Sequence, residues 1–266
     1  MVIEKKHAKP NEPDAPTKAF YVDALKHLDE AGVPYLVGGG YAMAYYTGIA
    51  RNTKDLDIFL RPSDRDRALT TLAAAGYRTE FFYEFWIAKA LSGDAFMDIL
   101  YSSGNGLCVV DDAWFEHATE MDILDYPTRL VPAEEQLWSK AFVQDRDRFD
   151  GADVHHLILS YGDVFDWRRL LSRFRGHEHV LLSHLVMFHY AFPSEKRCVP
   201  EWVMDRLFET VRTEPVWEEK VVRGTNVSQL GYLPDVSENG YADGRVRPWG
   251  PVSEDEVRQL PGMQGH

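Results

Sequence analysis

Residues 35–60 constrain the fold of this chain more than any other stretch. A short apolar run, Tyr35-Leu36-Val37, enters three consecutive glycines, Gly38, Gly39 and Gly40, and an apolar, helix-compatible stretch from Tyr41 to Tyr46 follows and stops at Gly48. Arg51-Asn52-Thr53-Lys54 then leads into residues 55–60, where Leu56, Ile58 and Leu60 alternate with Asp55 and Asp57, Phe59 being the exception. A period of two is the mark of a strand with one polar face. The order is strand, glycine turn, helix, strand.

The neighbouring segments extend this into a sheet domain. Phe20, Ala24, Leu25 and Leu28 recur at helical spacing, predicting a helix over residues 17–31 that Gly32 and Pro34 stop. Asp64 begins a helix running to Ala75, closed by Gly76, and β-formers follow at residues 77–82, 85–91, 96–101 and 129–131. From Pro132 the pattern turns helical, with helices predicted over residues 132–145, 151–160, 165–174, 177–192 and 200–212. The expected organisation is a flexible arm over residues 1–16, an α/β domain over 17–131, a helical domain over 132–223, and an irregular Gly- and Pro-rich tail over 224–266 packed on the body. The class is α+β: a mixed sheet with flanking helices, followed by a mostly helical C-terminal region.

Composition narrows the partners. With 45% hydrophobic and 27% charged residues the chain has the balance of a folded globular protein. No stretch approaches the apolar length that spans a bilayer, and residues 1–18 lack a signal-like apolar run. Cys108 and Cys198 give no disulfide framework, so a cytoplasmic location is expected. A net charge of -13 lacks the broad basic footprint of a nucleic-acid binder. It ranks a small molecule or a protein ahead of RNA as the partner.

The chemistry concentrates on three aspartates. Asp55 and Asp57, two apart on a strand, project from the same face, and two bare carboxylates that close repel each other. A hard divalent cation resolves the repulsion, and Mg²⁺ is commonly held by one or two carboxylates together with substrate phosphates. A third carboxylate on a neighbouring strand would complete a two-metal site. Asp98, an acidic residue inside Phe96-Met97-Asp98-Ile99-Leu100, is the first candidate, with Asp94 as the alternative beside the turn signal of Gly93. The glycines at 38 to 40 permit close approach of backbone N–H groups to phosphate, and the helix that follows adds a favourable dipole.

The run Val37-Gly38-Gly39-Gly40, then Arg51, Thr53, Asp55, Leu56, Asp57 and Ile58, resembles the polymerase-β-like nucleotidyltransferase superfamily, closest to its bacterial members without assigned substrates and to the toxin-type enzymes. The resemblance covers roughly residues 17 to 160. It implies a nucleotidyltransferase-like mixed sheet, metal held by Asp55, Asp57 and Asp98, and an NTP substrate with Mg²⁺ or, as the alternative ion, Mn²⁺. It further implies nucleotide contacts from Gly38, Gly39, Gly40, Arg51, Thr53 and Lys140, the last preceding a run (Arg146, Asp147, Arg148, Asp150, Asp153) similar to one in those relatives. For the toxin-type relatives it implies an antitoxin partner. The spacing from Gly39 to Asp55 is longer than the family's, so either Gly39 and Gly40 are the true pair or the helix carries an insertion.

Plainer readings stand beside these. Lys140 and the 146–153 run also fit an exposed helix face with ion pairs, and Arg51 and Thr53 also fit turn chemistry. The histidines at 155, 156, 177, 179, 184 and 189 lack zinc-motif spacing and read as packed or surface groups. The expected activity is transfer of an NMP from an NTP to a hydroxyl, the alternative being an inactive nucleotide- or partner-binding protein of the same fold.

Overall fold

The computed structural model describes residues 12–50 and 53–260, in two compact units, Met1–Pro132 and Ala133–His266. Most of the expected arm therefore lies outside the described residues.

In the first unit, α1 (Ala15–Glu30) begins where the Asp14 carboxylate accepts from the Thr17 amide, and it buries Phe20, Tyr21, Ala24, Leu25 and Leu28 along one face. Then come β1 (Leu36–Val37), α2 (Gly39–Thr47), β2 (Leu56–Phe59), α3 (Arg65–Ala74), β3 (Arg78–Tyr83), β4 (Ile87–Ser92), β5 (Ala95–Leu100), α4 (Asp112–Glu116), β6 (Thr119–Ile123) and β7 (Tyr126–Leu130). The seven strands form one mixed sheet in the order β3-β4-β5-β2-β1-β7-β6. β2 lies at its centre, antiparallel to β1 and parallel to β5. The fold class is the expected α+β, with a mixed sheet and flanking helices.

Two elements of this unit carry little sequence signal. The β6–β7 hairpin turns on Leu124 and Asp125, both at positive φ, a geometry that usually recruits Asn-Gly; with Leu-Asp the hairpin mark is missing. Helix α4 is a single short turn started by the Asp111 side chain, and it seats the fully buried Trp114 against Phe59 of β2.

The second unit holds α5 (Ala133–Ala141), α6 (Gly151–Tyr161), α7 (Trp167–Arg173), α8 (Glu178–Ala191) and α9 (Glu201–Thr213). Its interior contains an ionic cluster in which Arg169 and Arg173 donate to the fully buried Glu135, and Arg169 also pairs with Glu134. Beyond α9, β8 (Val221–Val222) pairs in parallel with β9 (Ala242–Asp243), and two more helices follow in this region, α10 (Gln229–Ser237) and α11 (Glu254–Arg258). Residues 224–260 thus hold more regular structure than a Gly- and Pro-rich tail announces. Gly231 and Pro234 sit inside α10 and weaken its helix signal. The buried Arg245 guanidinium donates to the Asp243 carboxylate, which also accepts from the Thr225 hydroxyl and so links two parts of the segment. Among the described residues no helix is long and apolar enough to cross a membrane.

Two histidines of this unit are held neutral. Burial brings His155 down to about 4, with His184 beside it adding to the effect, and burial together with the Arg223 guanidinium brings His177 to about 4 as well. The unfolded chain takes up those protons near 6.5, so between pH 6.5 and about 4 it binds more protons than the folded one. The second unit should lose stability as pH falls through that window, and a His155→Phe, His177→Gln double variant should show a flatter decline in urea midpoints measured across pH 4 to 7.

Candidate active site

The glycine turn and the central strands build one site. β2 and β5 run in parallel with Asp57 opposite Asp98, so both side chains rise from the same face at the same height. Asp55 precedes β2 by one residue and falls on the same side as Asp57. Thr53 fixes it by donating its hydroxyl to the Asp55 carbonyl at 3.1 Å and carboxylate at 3.0 Å. One carboxylate oxygen from each of Asp55, Asp57 and Asp98 lies within 4.8 Å of the other two, and all three side chains are half-buried. Asp94, by contrast, sits exposed in the β4–β5 turn after Gly93.

Each of the three glycines makes room for one neighbour. The Gly38 amide donates to the Asp57 carbonyl at 3.0 Å, tying the start of α2 to the middle of β2. Gly39 has φ +54°, and a Cβ there would stand 1.7 Å from Asp57 Oδ2. A Cβ on Gly40 would press on Thr53 at 2.9 Å. No larger residue at 39 allows the helix to begin so close to the carboxylate. The first-turn N–H groups of a helix lack intrahelical acceptors and carry the positive end of its dipole, so the start of α2 beside the cluster favours an anion such as phosphate.

The electrostatics call for a counter-charge. Two unit charges 4.8 Å apart repel by roughly 3–4 kcal/mol at an effective dielectric constant of about 20. The donor set is all carboxylate oxygen, which suits a hard divalent cation such as Mg²⁺ and not a soft metal.

Three further side chains reach the cluster that sequence reasoning did not single out. Lys89 of β4 stands opposite Asp98 and places Nζ 2.7 Å from its Oδ1. The Tyr21 hydroxyl donates to the Phe96 carbonyl at 3.1 Å, and burial raises its pKa, with Tyr41 and the three aspartates adding to the rise. Tyr41, next to the glycines, is buried and pushed up to about 12 by burial and then by Asp55. Both phenols therefore remain protonated, and the Tyr41 hydroxyl has no hydrogen-bond partner among the described residues. Tyr41 is legible in the sequence only as part of an apolar helix, and Tyr21 carries no signal of its own, because their chemistry arises from tertiary placement.

Of the remaining expected contacts, Arg51 lies outside the described residues. Lys140 belongs to the second unit, where Nζ pairs with Asp150 at 2.9 Å and Asp153 at 2.8 Å.

Comparison with known proteins bears on the same segment. The family model of aminoglycoside-2''-adenylyltransferase matches residues 21–90, which include the glycine turn, Thr53, Asp55 and Asp57. No curated protein sequence matches the chain. Among solved structures, the antibiotic-resistance factor ANT(2'')-Ia is 20% identical over 65% of this chain and 98% of its own, with a TM-score of 0.45. The lincosamide antibiotic adenylyltransferase LnuA, bound to lincomycin, is 19% identical over 55% of this chain and 98% of its own, with a TM-score of 0.39. An antigenic nucleotidyltransferase-like protein from Paracoccidioides brasiliensis is 16% identical over 70% and 94%, with a TM-score of 0.42. The family match falls on the strand, glycine turn, helix and Asp-Leu-Asp strand of the first unit, the segment in which this chain resembles the polymerase-β-like nucleotidyltransferase superfamily.

Proposed function

We propose that the protein transfers a nucleoside monophosphate from an NTP to a hydroxyl of a small-molecule acceptor and releases pyrophosphate. The observation that carries this reading is the meeting of Asp55, Asp57 and Asp98 within 4.8 Å beside the glycine turn that opens α2. Asp55 and Asp57 are the residues to hold Mg²⁺ (or Mn²⁺) with the triphosphate, and Asp98 is the further metal ligand nearest the attacking hydroxyl. A bound divalent ion would neutralise charge on the phosphates and acidify the hydroxyl. The acceptor oxygen forms a bond to the α-phosphorus, the bond from that phosphorus to the pyrophosphate oxygen breaks, and Asp98 takes the hydroxyl proton. Gly39 and Gly40 bring the α2 amide groups to the phosphates, while Thr53 keeps Asp55 aimed.

An adenylyl donor and a cationic acceptor of the antibiotic type fit best. The family matched over residues 21–90 is named for adenylyl transfer to aminoglycosides, and a net charge of -13 favours a basic small molecule over RNA. A protein hydroxyl, with the antitoxin that would accompany a toxin-type enzyme, is the second acceptor class to be screened.

Calorimetric titration of ATP, GTP, CTP and UTP with Mg²⁺ should show a nucleotide that binds the wild type only with metal and does not bind Asp57→Ala; equal binding by both proteins would refute the site. Gly39→Ala keeps every carboxylate but forces Asp57 aside, so it should weaken the same binding at least tenfold and, with a left-handed backbone now strained, lower stability by about 1–3 kcal/mol in urea unfolding.

A further inference from the structure

Lys89 is an unusual residue for its position. It interrupts the apolar strand Ile87-Ala88-Lys89-Ala90-Leu91, and its side chain is 18% exposed against 14% for Asp98. Its ammonium meets Asp98 Oδ1 at 2.7 Å and lies 4.2 Å from the Phe96 ring centroid and 5.2 Å from that of Phe82. The aromatic faces hold the head group in place electrostatically, and the direct cross-strand register sets its height on the sheet. A solvated surface pair contributes little, but this pair is largely withdrawn from water and is joined to a cluster of three carboxylates.

We propose that Lys89 is a charge-balancing residue of the active site: its ammonium pairs with Asp98 Oδ1 and tempers the carboxylate cluster's attraction for divalent cations. The inference rests on the metal-binding role proposed above for Asp55, Asp57 and Asp98. Its consequence is a division of labour. A cation built in beside the three carboxylates makes their combined charge one unit less negative, so a free ion is held less tightly than it would be without the lysine. The site then fills completely when nucleotide phosphates bring their own charge and ligands, coupling metal occupancy to nucleotide.

A purely structural Lys89 predicts the opposite response to its removal, because an Asp98 freed to swing away would leave a poorer ion site. Mn²⁺ binding to the nucleotide-free full chain, followed by the paramagnetic resonance signal of the free ion, separates the two. Lys89→Met, which keeps the apolar stem, should bind Mn²⁺ about tenfold more tightly than wild type, since a positive charge a few ångströms from the ion is gone. Lys89→Arg should bind like wild type. Lys89→Gln is read by the same criterion as the methionine variant, so the result does not hang on one substitution folding. Unchanged or weaker binding in the neutral variants, with Asp57→Asn losing Mn²⁺, overturns the role of Lys89 and leaves the site standing. If Asp57→Asn binds Mn²⁺ as wild type does, the ion is elsewhere and the functional reading falls, taking this inference with it.

Discussion

Three carboxylates that repel one another are held in one small space, and the architecture of the first unit is arranged around that constraint. The parallel pairing of β2 with β5 brings Asp98 level with Asp57. The bond from the Gly38 amide to the Asp57 carbonyl draws the start of α2 against the same strand, and Thr53 ties back Asp55. None of these contacts is individually strong, since a typical intramolecular hydrogen bond contributes about 1 kcal/mol net. What stabilises the arrangement is the apolar packing beneath it: Leu56 and Ile58 on β2 and Met97 and Ile99 on β5 are all fully buried. The apolar face of the sheet supplies the packing, and the opposite face carries the three aspartates.

Much of this was legible in the sequence because the signals are local. A period of two marked β2 and put Asp55 and Asp57 on one face; a lone acid in an apolar strand marked Asp98; consecutive glycines before an apolar helix marked the turn. The reason for three glycines was not legible. It lies in the neighbours each one meets, Phe59, Asp57 and Thr53, of which two come from a strand that packs against the turn only after folding. The tie between Asp57 and Asp98 was equally hidden, because register between strands far apart in sequence is set by the hydrogen-bond ladder.

Lys89 shows the limit most clearly. A lysine in a strand reads as a residue of the solvent face, and only its register opposite Asp98, with Phe82 and Phe96 about it, makes it part of the site. The β6 strand was missed for a related reason, its turn being made by residues that do not advertise positive φ. In the second unit, the Lys140 ammonium pairs with Asp150 and Asp153, two acids of the run that follows it in the sequence.

The register of β2 on β5 also makes the site a mechanical object. Side chains alternate faces along a strand, so a slip of β5 by one residue would carry Asp98 to the opposite side of the sheet while leaving every carboxylate chemically intact. Whether the three aspartates meet is thus set by the alignment of two strands as much as by their identity.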